Sequence, residues 1–179
     1  KERKYLQIIS DESRRLSRLV RRMLDISQIQ SQEMKKEDFD LCESMRLALL
    51  SMEQKITDRE LDVEADIPEE PVMVEGVNDL ITQVIYNLLE NATKYAAEHS
   101  ALYLGLACRG EKAGGTVRNT GNTIPAQEIP LLFERFHQSD KSRSVDKDGY
   151  GLGLYVVKTI LNQHKEQITV TSQDGVTAF

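Results

Sequence analysis

Two asparagines spaced four residues apart, Asn87 and Asn91, are the first candidates for chemistry in this sequence. The apolar residues around them repeat at helical spacing, so the following Lys94 and Tyr95 continue the same polar stripe of a predicted helix. Asparagine is disfavoured inside a helix because its side chain competes for backbone hydrogen bonds, which suggests that the two amides have a use. Amide oxygens are hard ligands suited to Mg²⁺, and an adjacent lysine suits the phosphates that the metal carries. Taken alone, however, the stripe is more typical of a solvated polar face.

A glycine-rich segment opens a predicted helix over residues 152–164, with the sequence Gly149-Tyr150-Gly151-Leu152-Gly153-Leu154. Glycines let the backbone approach a ligand, and a helix N-terminus offers its N–H groups to an anion. The segment is not a Walker loop, because no Gly-Lys-Ser or Gly-Lys-Thr follows. It is not the dinucleotide fingerprint either, because its spacing is G-x-G-x-G and a charged loop stands where a strand is required. Alone, the segment also fits a flexible turn into a helix.

Two further segments could complete a ligand site. Residues 117–125 (VRNTGNTIP) predict a strand that ends in a glycine turn, where a side chain could reach a flat heteroaromatic ring. Residues 132–136 (LFERF) form an apolar anchor that leads into a polar loop over 137–148. That loop carries Lys141 and Arg143, which suits a lid that closes over a charged ligand. An ordinary turn and a solvated loop are the alternatives.

The elements that must position these residues follow from hydrophobic periodicity. Residues 1 to about 30 contain no Gly or Pro, and Ile9, Leu16 and Met23 recur every seven residues, which predicts a long helix that needs partner helices. A core helix of the following domain is the alternative. The remaining pattern predicts strands at 39–41, 60–66, 72–74, 100–109, 115–119 and 166–171. A turn at 111–115 joins the strands at 100–109 and 115–119. Helices are predicted at 42–57, 77–96 and 152–164, with a short helix after Pro125.

Strands and helices mix without regular alternation, which predicts an α+β fold. We expect a two-layer α/β sandwich, with a mixed sheet covered by helices on one face, preceded by the long helix. The polar stretch after that helix places a boundary near residue 36, so the expected units are 1–36 and 37–179. A last strand pattern begins only just before Phe179, so we expect the final strand to be truncated.

The overall composition argues against several classes of function. The 179 residues carry a net charge of −6 and a pI near 5.2, and a nucleic-acid-binding surface would need a basic excess. Cys42 and Cys108 lie far apart and belong to no Cys/His cluster, so a disulfide framework or a metal site has no support. No apolar run approaches the ~20 residues that span a bilayer, and no signal peptide opens the chain.

Taken together, the order and spacing of these segments resemble those of the sensor histidine kinases, within the wider group that includes gyrase, MutL and the heat-shock chaperone ATPases. The asparagine helix is similar to the N box of that family, residues 119–124 to its first glycine box, 133–136 to its F box, 138–148 to its ATP lid and 149–154 to its second glycine box. The first helix, which runs into Leu24-Asp25-Ile26-Ser27, resembles the second helix of the dimerisation and phosphotransfer hairpin. The resemblance covers nearly the whole chain.

The resemblance implies that ATP and Mg²⁺ are the cofactors. Asn91 would bind the Mg²⁺ that bridges the triphosphate, with Asn87 assisting, and Lys94 and Tyr95 would contact the phosphates. The other residues that the resemblance assigns to nucleotide binding are Asn119, Gly121, Ile124, Phe136, Lys141, Arg143, Gly149, Gly151, Leu152, Gly153, Leu154 and Thr177. Within this set, backbone N–H groups of residues 151–153 would hold phosphates. Gly121 and Ile124 would shape the adenine pocket. Lys141 or Arg143 would supply a cation of the lid for the γ-phosphate.

Three positions depart from the family's pattern. The residue that reads adenine is usually Asp but is Asn119 here, and its oxygen would accept from the adenine amino group without charge assistance. We therefore expect weaker or less selective adenine binding. The second glycine of the first glycine box is Thr123, which would narrow the pocket. Gln138 replaces an arginine that is common in the family, so the lid cation must come from a neighbour.

The resemblance implies a protein-histidine kinase that transfers the γ-phosphoryl group of Mg·ATP to a histidine, for relay to a response-regulator aspartate. None of His99, His137 and His164 has the setting of an acceptor, so the acceptor would lie upstream of residue 1. The related ATPases have a general-base glutamate at the position of Asn87, and an amide cannot take that role, which favours transfer over hydrolysis. Glu90 is nearby but is expected to point elsewhere.

The alternative function is a nucleotide-binding sensing or scaffolding module without phosphotransfer. An anti-sigma-factor serine kinase would share the ATP site but would lack the long first helix. The expected partners are the receiver domain of a response regulator and a second copy of the parent protein, joined through the helical hairpin. We expect a cytoplasmic domain of a membrane-bound sensor, with membrane contact only through parent segments outside this chain.

Overall fold

The computed structural model describes residues 1–138 and 150–179 of the chain. Helix α1 (Glu2–Ser31) agrees with the long helix predicted from the seven-residue repeat. Its Ile26 is buried, whereas Ile9, Leu16 and Met23 of the predicted seam are exposed. The described part of the chain therefore leaves most of this apolar seam uncovered. Among the described residues, none of the helices combines the length and apolar character that crossing a membrane requires.

The main sheet of the protein has five strands. Their spatial order is β2 (Asp62–Asp66), β4 (Ala101–Arg109), β5 (Lys112–Thr120), β7 (Val176–Ala178) and β6 (Thr171–Gln173). Strand β2 runs parallel to β4, and the other neighbours are antiparallel, so the sheet is mixed. A separate antiparallel pair consists of β1 (Glu37–Asp40) and β3 (Met73–Gly76).

Helices cover one face of the main sheet. They are α2 (Leu41–Ser51), α3 (Glu53–Asp58), α4 (Asn78–Tyr95) and α5 (Gly153–Gln163), and α4 packs against α2, α5 and β5. Leu102 of β4 is fully buried together with Leu89 of α4 and Val157 of α5. The next residue, Tyr103, lies on the opposite face, where the guanidinium of Arg118 stacks on its ring at 4.2 Å. These features confirm the predicted two-layer α+β sandwich, with a mixed sheet covered on one face.

The helix predicted over 42–57 is in fact two helices, which meet at Met52. The backbone N–H of Met52 donates to the carbonyl oxygen of Leu49 at 3.0 Å, and the Met52 side chain is fully buried. That side chain belongs to the hydrophobic core at the break between the two helices. No glycine or proline marks the break, so the local pattern gives no sign of it.

The strand predicted at 166–171 is wrong in its position. Residues 166–170 have no regular structure, and β6 begins at Thr171 and forms a hairpin with β7. Asp174 and Gly175 form the connecting turn, with φ values of 50° and 77°. An Asp-Gly pair is a strong hairpin signal, because both turn residues must adopt positive φ. The Asp-Gly pair therefore signals the hairpin in the sequence. The prediction is misplaced because the apolar and β-branched residues at 166–171 resemble a strand.

The turn between β4 and β5 also differs from the prediction. It consists of Gly110 and Glu111, so residues 112–115, which were predicted to belong to the turn, instead continue β5. Gly110 has a φ of 60°, the left-handed conformation that glycine adopts without steric cost.

Candidate functional site

One cavity of about 780 Å³ lies between α4, the end of β5 and the start of α5. Its lining includes the predicted site residues Asn87, Asn91, Lys94, Tyr95, Asn119, Gly121, Ile124, Gly151, Leu152, Gly153, Leu154 and Thr177. Phe136 does not line the cavity, and its side chain is exposed. Lys141, Arg143 and Gly149 lie outside the described residues. The asparagine helix and both glycine boxes therefore form one site, although they are far apart in the sequence.

The two asparagines of α4 have different environments. The Asn87 side-chain oxygen accepts a hydrogen bond from Nε2 of Gln83 at 2.8 Å, and its Nδ2 donates to the carbonyl oxygen of Gly153 at 3.1 Å. Asn91 lies one turn further along α4 and lines the same cavity. Since the oxygen of Asn87 is already bonded to Gln83, Asn91 is the stronger candidate for a metal ligand.

Glu90 also lines the cavity, although we expected it to point elsewhere. Its Oε1 lies 2.8 Å from Nζ of Lys55 on α3. This hydrogen bond raises the pKa of Lys55 above its usual value, although partial burial opposes the shift. Glu90 is therefore held by a lysine that stays charged at neutral pH.

The second glycine box is held against the chain segment that precedes the undescribed residues. Gly151 has a φ of 65°, and its carbonyl oxygen accepts from the backbone N–H of Phe136 at 3.0 Å. A Cβ atom at Gly151 would lie 2.4 Å from the carbonyl oxygen of His137. Both the conformation and this close approach require glycine. Phe136 thus supports the cavity wall through its backbone rather than through its ring.

Gly153 is glycine for a different reason, since a Cβ atom there would meet no other heavy atom within 4 Å. It is the first residue of α5, and no side chain at the N-cap position Leu152 bonds to the N–H groups of the first turn. These N–H groups carry the positive end of the helix dipole and lie at the cavity wall. The open space over Gly153 therefore suits an anion that approaches the backbone.

Asn119 of β5 and Thr177 of β7 also line the cavity, where they are paired neighbours and each is only 5% exposed. The Thr177 hydroxyl hydrogen bonds to the hydroxyl of Ser172 at 2.8 Å. The Ser172 oxygen in turn accepts from the backbone N–H of Ile124 at 2.8 Å. The β6–β7 hairpin therefore holds the first glycine box in place.

Thr123 has a structural role in the same contact. Its hydroxyl accepts from the backbone N–H of Gly175 at 2.7 Å, while the N–H of Gly121 donates to the Gly175 carbonyl oxygen at 2.7 Å. A Cβ atom at Gly121 would lie 2.5 Å from the carbonyl oxygen of Tyr95. Thr123 lines the cavity as expected, but its hydroxyl fastens the hairpin turn to the first glycine box.

Two cationic side chains that belong to none of the sequence motifs also line the cavity, Arg22 of α1 and Arg59 at the end of α3. Nη2 of Arg59 donates to the carbonyl oxygen of Ala96, and its Nε is buried with no partner among the described residues. The guanidinium of Arg22 lies 5.4 Å from the ring centroid of Tyr150. Both arginines come from segments remote from the motifs, so no local signal could have placed them here.

The three histidines have separate environments. His164 is buried, with Nε2 accepting from the backbone N–H of Val77 at 3.0 Å and Nδ1 at 2.8 Å from the carbonyl oxygen of Ile160. His99 is exposed and pairs with a surface carboxylate. His137, to which the sequence motifs assign no role, lines the cavity. His164 is therefore a core residue rather than a reactive one.

The ligand set around the cavity bears on which metal it could hold. Within residues 1–138 and 150–179, no three His, Cys, Asp or Glu side chains are grouped as a metal site. Mg²⁺ prefers an octahedral oxygen shell and keeps waters or binds substrate phosphates. Amide oxygens from α4 could therefore hold Mg²⁺ only together with ligands such as the phosphates of a nucleotide.

Comparisons with known proteins agree with this geometry. Residues 76–179 match the family described as histidine kinase-, DNA gyrase B- and HSP90-like ATPase. The chain is 29% identical over 178 residues to Sensor protein VanS of Enterococcus faecium, covering 98% of this chain and 46% of that relative. It is 32% identical over 187 residues to Drug sensory protein A of Synechocystis sp., covering 98% of this chain and 28% of that relative. The chain thus spans less than half the length of either relative.

Solved structures show the same likeness. The catalytic domain of histidine kinase ThkA has a TM-score of 0.72 at 25% identity, over 83% of this chain and 93% of that chain. In a complex of histidine kinase ThkA with response regulator protein TrrA, the TM-score is 0.73 at 26% identity, over 98% of this chain and 49% of that chain. This chain therefore belongs to the histidine kinase-, DNA gyrase B- and HSP90-like ATPase family, and within it to the catalytic ATPase domains of sensor histidine kinases.

Proposed function

We propose that the cavity binds Mg·ATP and that the domain donates the γ-phosphoryl group to a histidine of the parent protein. The observation that carries this proposal is the meeting of the asparagine helix and both glycine boxes in one cavity. Each segment alone also fits a structural role. Together they combine amide oxygens, backbone N–H groups and a buried polar pocket, which are the groups that a metal-bound nucleotide needs.

The phosphates would lie at the α5 end of the cavity. The space over Gly153 is open, and the uncapped N–H groups of α5 favour an anion there. Lys94 lies in the same lining and adds positive charge. The adenine would lie at the other end, where Asn119 and Thr177 present polar groups in a nearly buried setting. In this orientation Asn91, which lines the same cavity, would hold Mg²⁺ against the phosphates.

The residues around the phosphate end favour transfer over hydrolysis. Asn87 has no basic group, and its amide is bonded to Gln83 and to the Gly153 carbonyl oxygen. Glu90 is the carboxylate of α4 that lines the cavity, and Lys55 holds it. Helix α4 therefore offers no free general base to activate water, which favours retention of the phosphoryl group for an incoming acceptor.

The acceptor in this proposal is a histidine upstream of residue 1, and the next recipient is an aspartate of a response-regulator receiver domain. Two observations support these partners. The exposed seam of α1, with Ile9, Leu16 and Met23, suits packing against other helices, including those of a second copy of the protein. A related kinase, ThkA, has been crystallised with the response regulator TrrA. A membrane-bound parent with this domain in the cytoplasm completes the proposal.

The decisive measurement is a titration of the chain with Mg·ATP, comparing the unmodified chain with Asn91→Ala. We expect the variant to bind at least roughly tenfold more weakly, because it loses a ligand to a charged group. Asn162→Ala, an exposed asparagine on α5 that does not line the cavity, is the matched control and should bind as the unmodified chain does. Equal affinity for all three proteins would refute the site assignment.

The second candidate function is a nucleotide-binding scaffold without phosphotransfer. Asn119 and Thr123 favour it, because both depart from the pattern of the family. Supplying a dimerisation hairpin that carries an acceptor histidine separates the two functions. A kinase should label that histidine from γ-labelled ATP. Binding of Mg·ATP without any labelling, while a related kinase domain labels the same hairpin, would favour the scaffold.

A further inference from the structure

Helix α1 contributes one side chain, Arg22, to the lining of the cavity. Every other lining residue lies within residues 59–179, which belong to the sandwich. The helix is therefore more than an appendage to the sandwich, because it supplies a cation to the wall of the proposed nucleotide site.

Tyr150 fixes the place of Arg22. The Tyr150 hydroxyl donates to the carbonyl oxygen of Arg15 at 2.8 Å, and its ring packs with Ile26 and Leu152 in a small apolar cluster. The Arg22 guanidinium lies 5.4 Å from the centroid of that ring. Tyr150 immediately precedes Gly151, so the residue that holds α1 also begins the second glycine box.

A second set of contacts fixes α1 further along. The Tyr155 hydroxyl accepts hydrogen bonds from Gln30 at 3.2 Å and from Arg135 at 2.7 Å. Gln163, at the far end of α5, donates to the carbonyl oxygen of Ile29 at 2.9 Å. Helix α1 is therefore attached to α5 and to the loop before it, which together form the phosphate end of the cavity.

The contact with Tyr150 leaves the charge of Arg22 available. A cation over an aromatic ring uses the ring face and retains its N–H donors for other acceptors. In the described part of the chain, Arg22 takes part in no ion pair with a carboxylate. By contrast, Glu90 is bonded to Lys55, and Arg59 already donates to the carbonyl oxygen of Ala96. Arg22 thus adds positive charge to the cavity wall beside Tyr150, the residue before Gly151.

We propose that Arg22 is a phosphate ligand that α1 supplies to the nucleotide, and that the bound nucleotide in turn strengthens the attachment of α1. This inference rests on the proposed Mg·ATP site. The helix that carries Arg22 also carries the exposed apolar seam, so occupancy of the cavity would be coupled to the position of the surface that meets other helices. Because binding free energies are reciprocal, a helix held more tightly would also hold the nucleotide more tightly.

The first test compares ATP and adenosine as ligands of the chain and of Arg22→Gln. We expect the variant to bind Mg·ATP roughly tenfold more weakly, a value that allows for the exposure of the guanidinium. Adenosine, which lacks phosphates, should bind equally to both proteins. Arg22→Lys should recover part of the affinity because it keeps the charge. Arg21→Gln, a neighbouring exposed arginine outside the cavity, should bind like the unmodified chain.

Unchanged ATP affinity in Arg22→Gln, or an equal loss for ATP and adenosine, overturns the inference. Asn91→Ala, measured alongside, separates this failure from that of the proposed function. If Asn91→Ala weakens ATP binding while Arg22→Gln does not, only the role of Arg22 is wrong. If neither variant weakens it, the Mg·ATP site itself is wrong and the inference falls with it.

The second test measures amide hydrogen exchange in residues 15–30 with and without Mg·ATP. Saturating nucleotide should slow exchange in this stretch of the unmodified chain, because it stabilises the attachment of α1. In Arg22→Gln at saturating nucleotide the slowing should be absent or much smaller. Equal slowing in both proteins would show that the nucleotide acts on α1 without Arg22 and would overturn the coupling.

Discussion

Nδ2 of Asn87 donates a hydrogen bond of 3.1 Å to the carbonyl oxygen of Gly153 and thereby joins α4 to the start of α5. This bond connects two segments that the sequence presents as separate motifs, the asparagine helix and the second glycine box. Because Gln83 occupies the Asn87 oxygen, the two asparagines of α4 perform different tasks. Asn87 joins α4 to the end of the cavity proposed for the phosphates, and Asn91 is the proposed metal ligand.

This division predicts different outcomes for two alanine variants. Asn87→Ala should lower the free energy of unfolding by about 1 kcal/mol, the usual value for a lost hydrogen bond. Its affinity for ATP should fall about equally with and without Mg²⁺. Asn91→Ala should change stability little but should remove most of the Mg²⁺ dependence of ATP binding. Chemical denaturation and titrations with and without EDTA measure both effects, and the opposite pattern would exchange the roles of the two residues.

The glycines of the cavity should respond differently to alanine. Gly121→Ala brings a Cβ atom to 2.5 Å from the carbonyl oxygen of Tyr95, so the backbone must move. We expect a loss of about 1–3 kcal/mol of stability, as for other overpacked sites. Gly153→Ala meets open space and should leave stability unchanged or slightly higher, since alanine favours a helix more than glycine.

Gly153→Ala should nevertheless weaken ATP binding, because its methyl group occupies the space proposed for a phosphate. Thermal unfolding without nucleotide and titration with ATP separate the two effects. A Gly153→Ala variant that binds ATP normally would place the phosphates elsewhere in the cavity.

Asn119→Asp should bind ATP more tightly than the unmodified chain. The carboxylate would accept from the adenine amino group with charge assistance, and we expect roughly a fivefold gain. Without nucleotide the variant should be less stable, since the side chain at this position is only 5% exposed and a buried charge there would lack a partner. Titration with ATP tests the predicted gain in affinity, and the melting temperature without ATP tests the predicted loss of stability. A variant that binds ATP no better would indicate that position 119 does not read the base.

Thr123→Val should destabilise the β6–β7 hairpin. It preserves the shape of the side chain but removes the hydroxyl that accepts from the Gly175 N–H at 2.7 Å. We expect a loss of about 1 kcal/mol, with faster exchange of the Gly175 amide as the local readout. Thr123→Ser, which retains the hydroxyl, is the matched control. Equal stability of the valine and serine variants would show that this hydrogen bond contributes nothing.

The Tyr155 phenol should report on the junction between α1 and α5 through its titration. The hydrogen bond from Arg135 lowers the pKa of Tyr155 below its usual value, although partial desolvation opposes the shift. The stabilisation that accompanies ionisation is therefore present above about pH 10, the pKa of an unfolded tyrosine, and is lost as the pH falls through the lower folded pKa.

Arg135→Gln should raise the pKa of Tyr155 towards the usual value. NMR titration of ring-labelled tyrosine measures it, and Arg109→Gln, an exposed arginine distant in sequence, serves as the control. If the Tyr155 titration is the same in Arg135→Gln and in the unmodified chain, the arginine does not determine the environment of this phenol.

Local sequence patterns determine a large part of this protein. Helical periodicity predicts α1 and α4, whose observed ranges agree closely with the predictions. The mixture of strand and helix patterns predicts the two-layer sandwich. The residue types at Asn87, Asn91 and the two glycine boxes identify the family, because helix N-termini and amide oxygens act through local chemistry that a short segment contains.

Only the tertiary structure decides which side chains meet. Arg22 and Arg59 enter the cavity from distant segments, and no local pattern distinguishes them from other surface arginines. The break at Met52 coincides with burial of its side chain in the core and involves no helix-breaking residue. The bond between Asn87 and Gly153 likewise depends on the packing of α4 against α5. Long-range contacts of this kind are set by burial and shape, and the spacing of neighbouring residues contains little information about them.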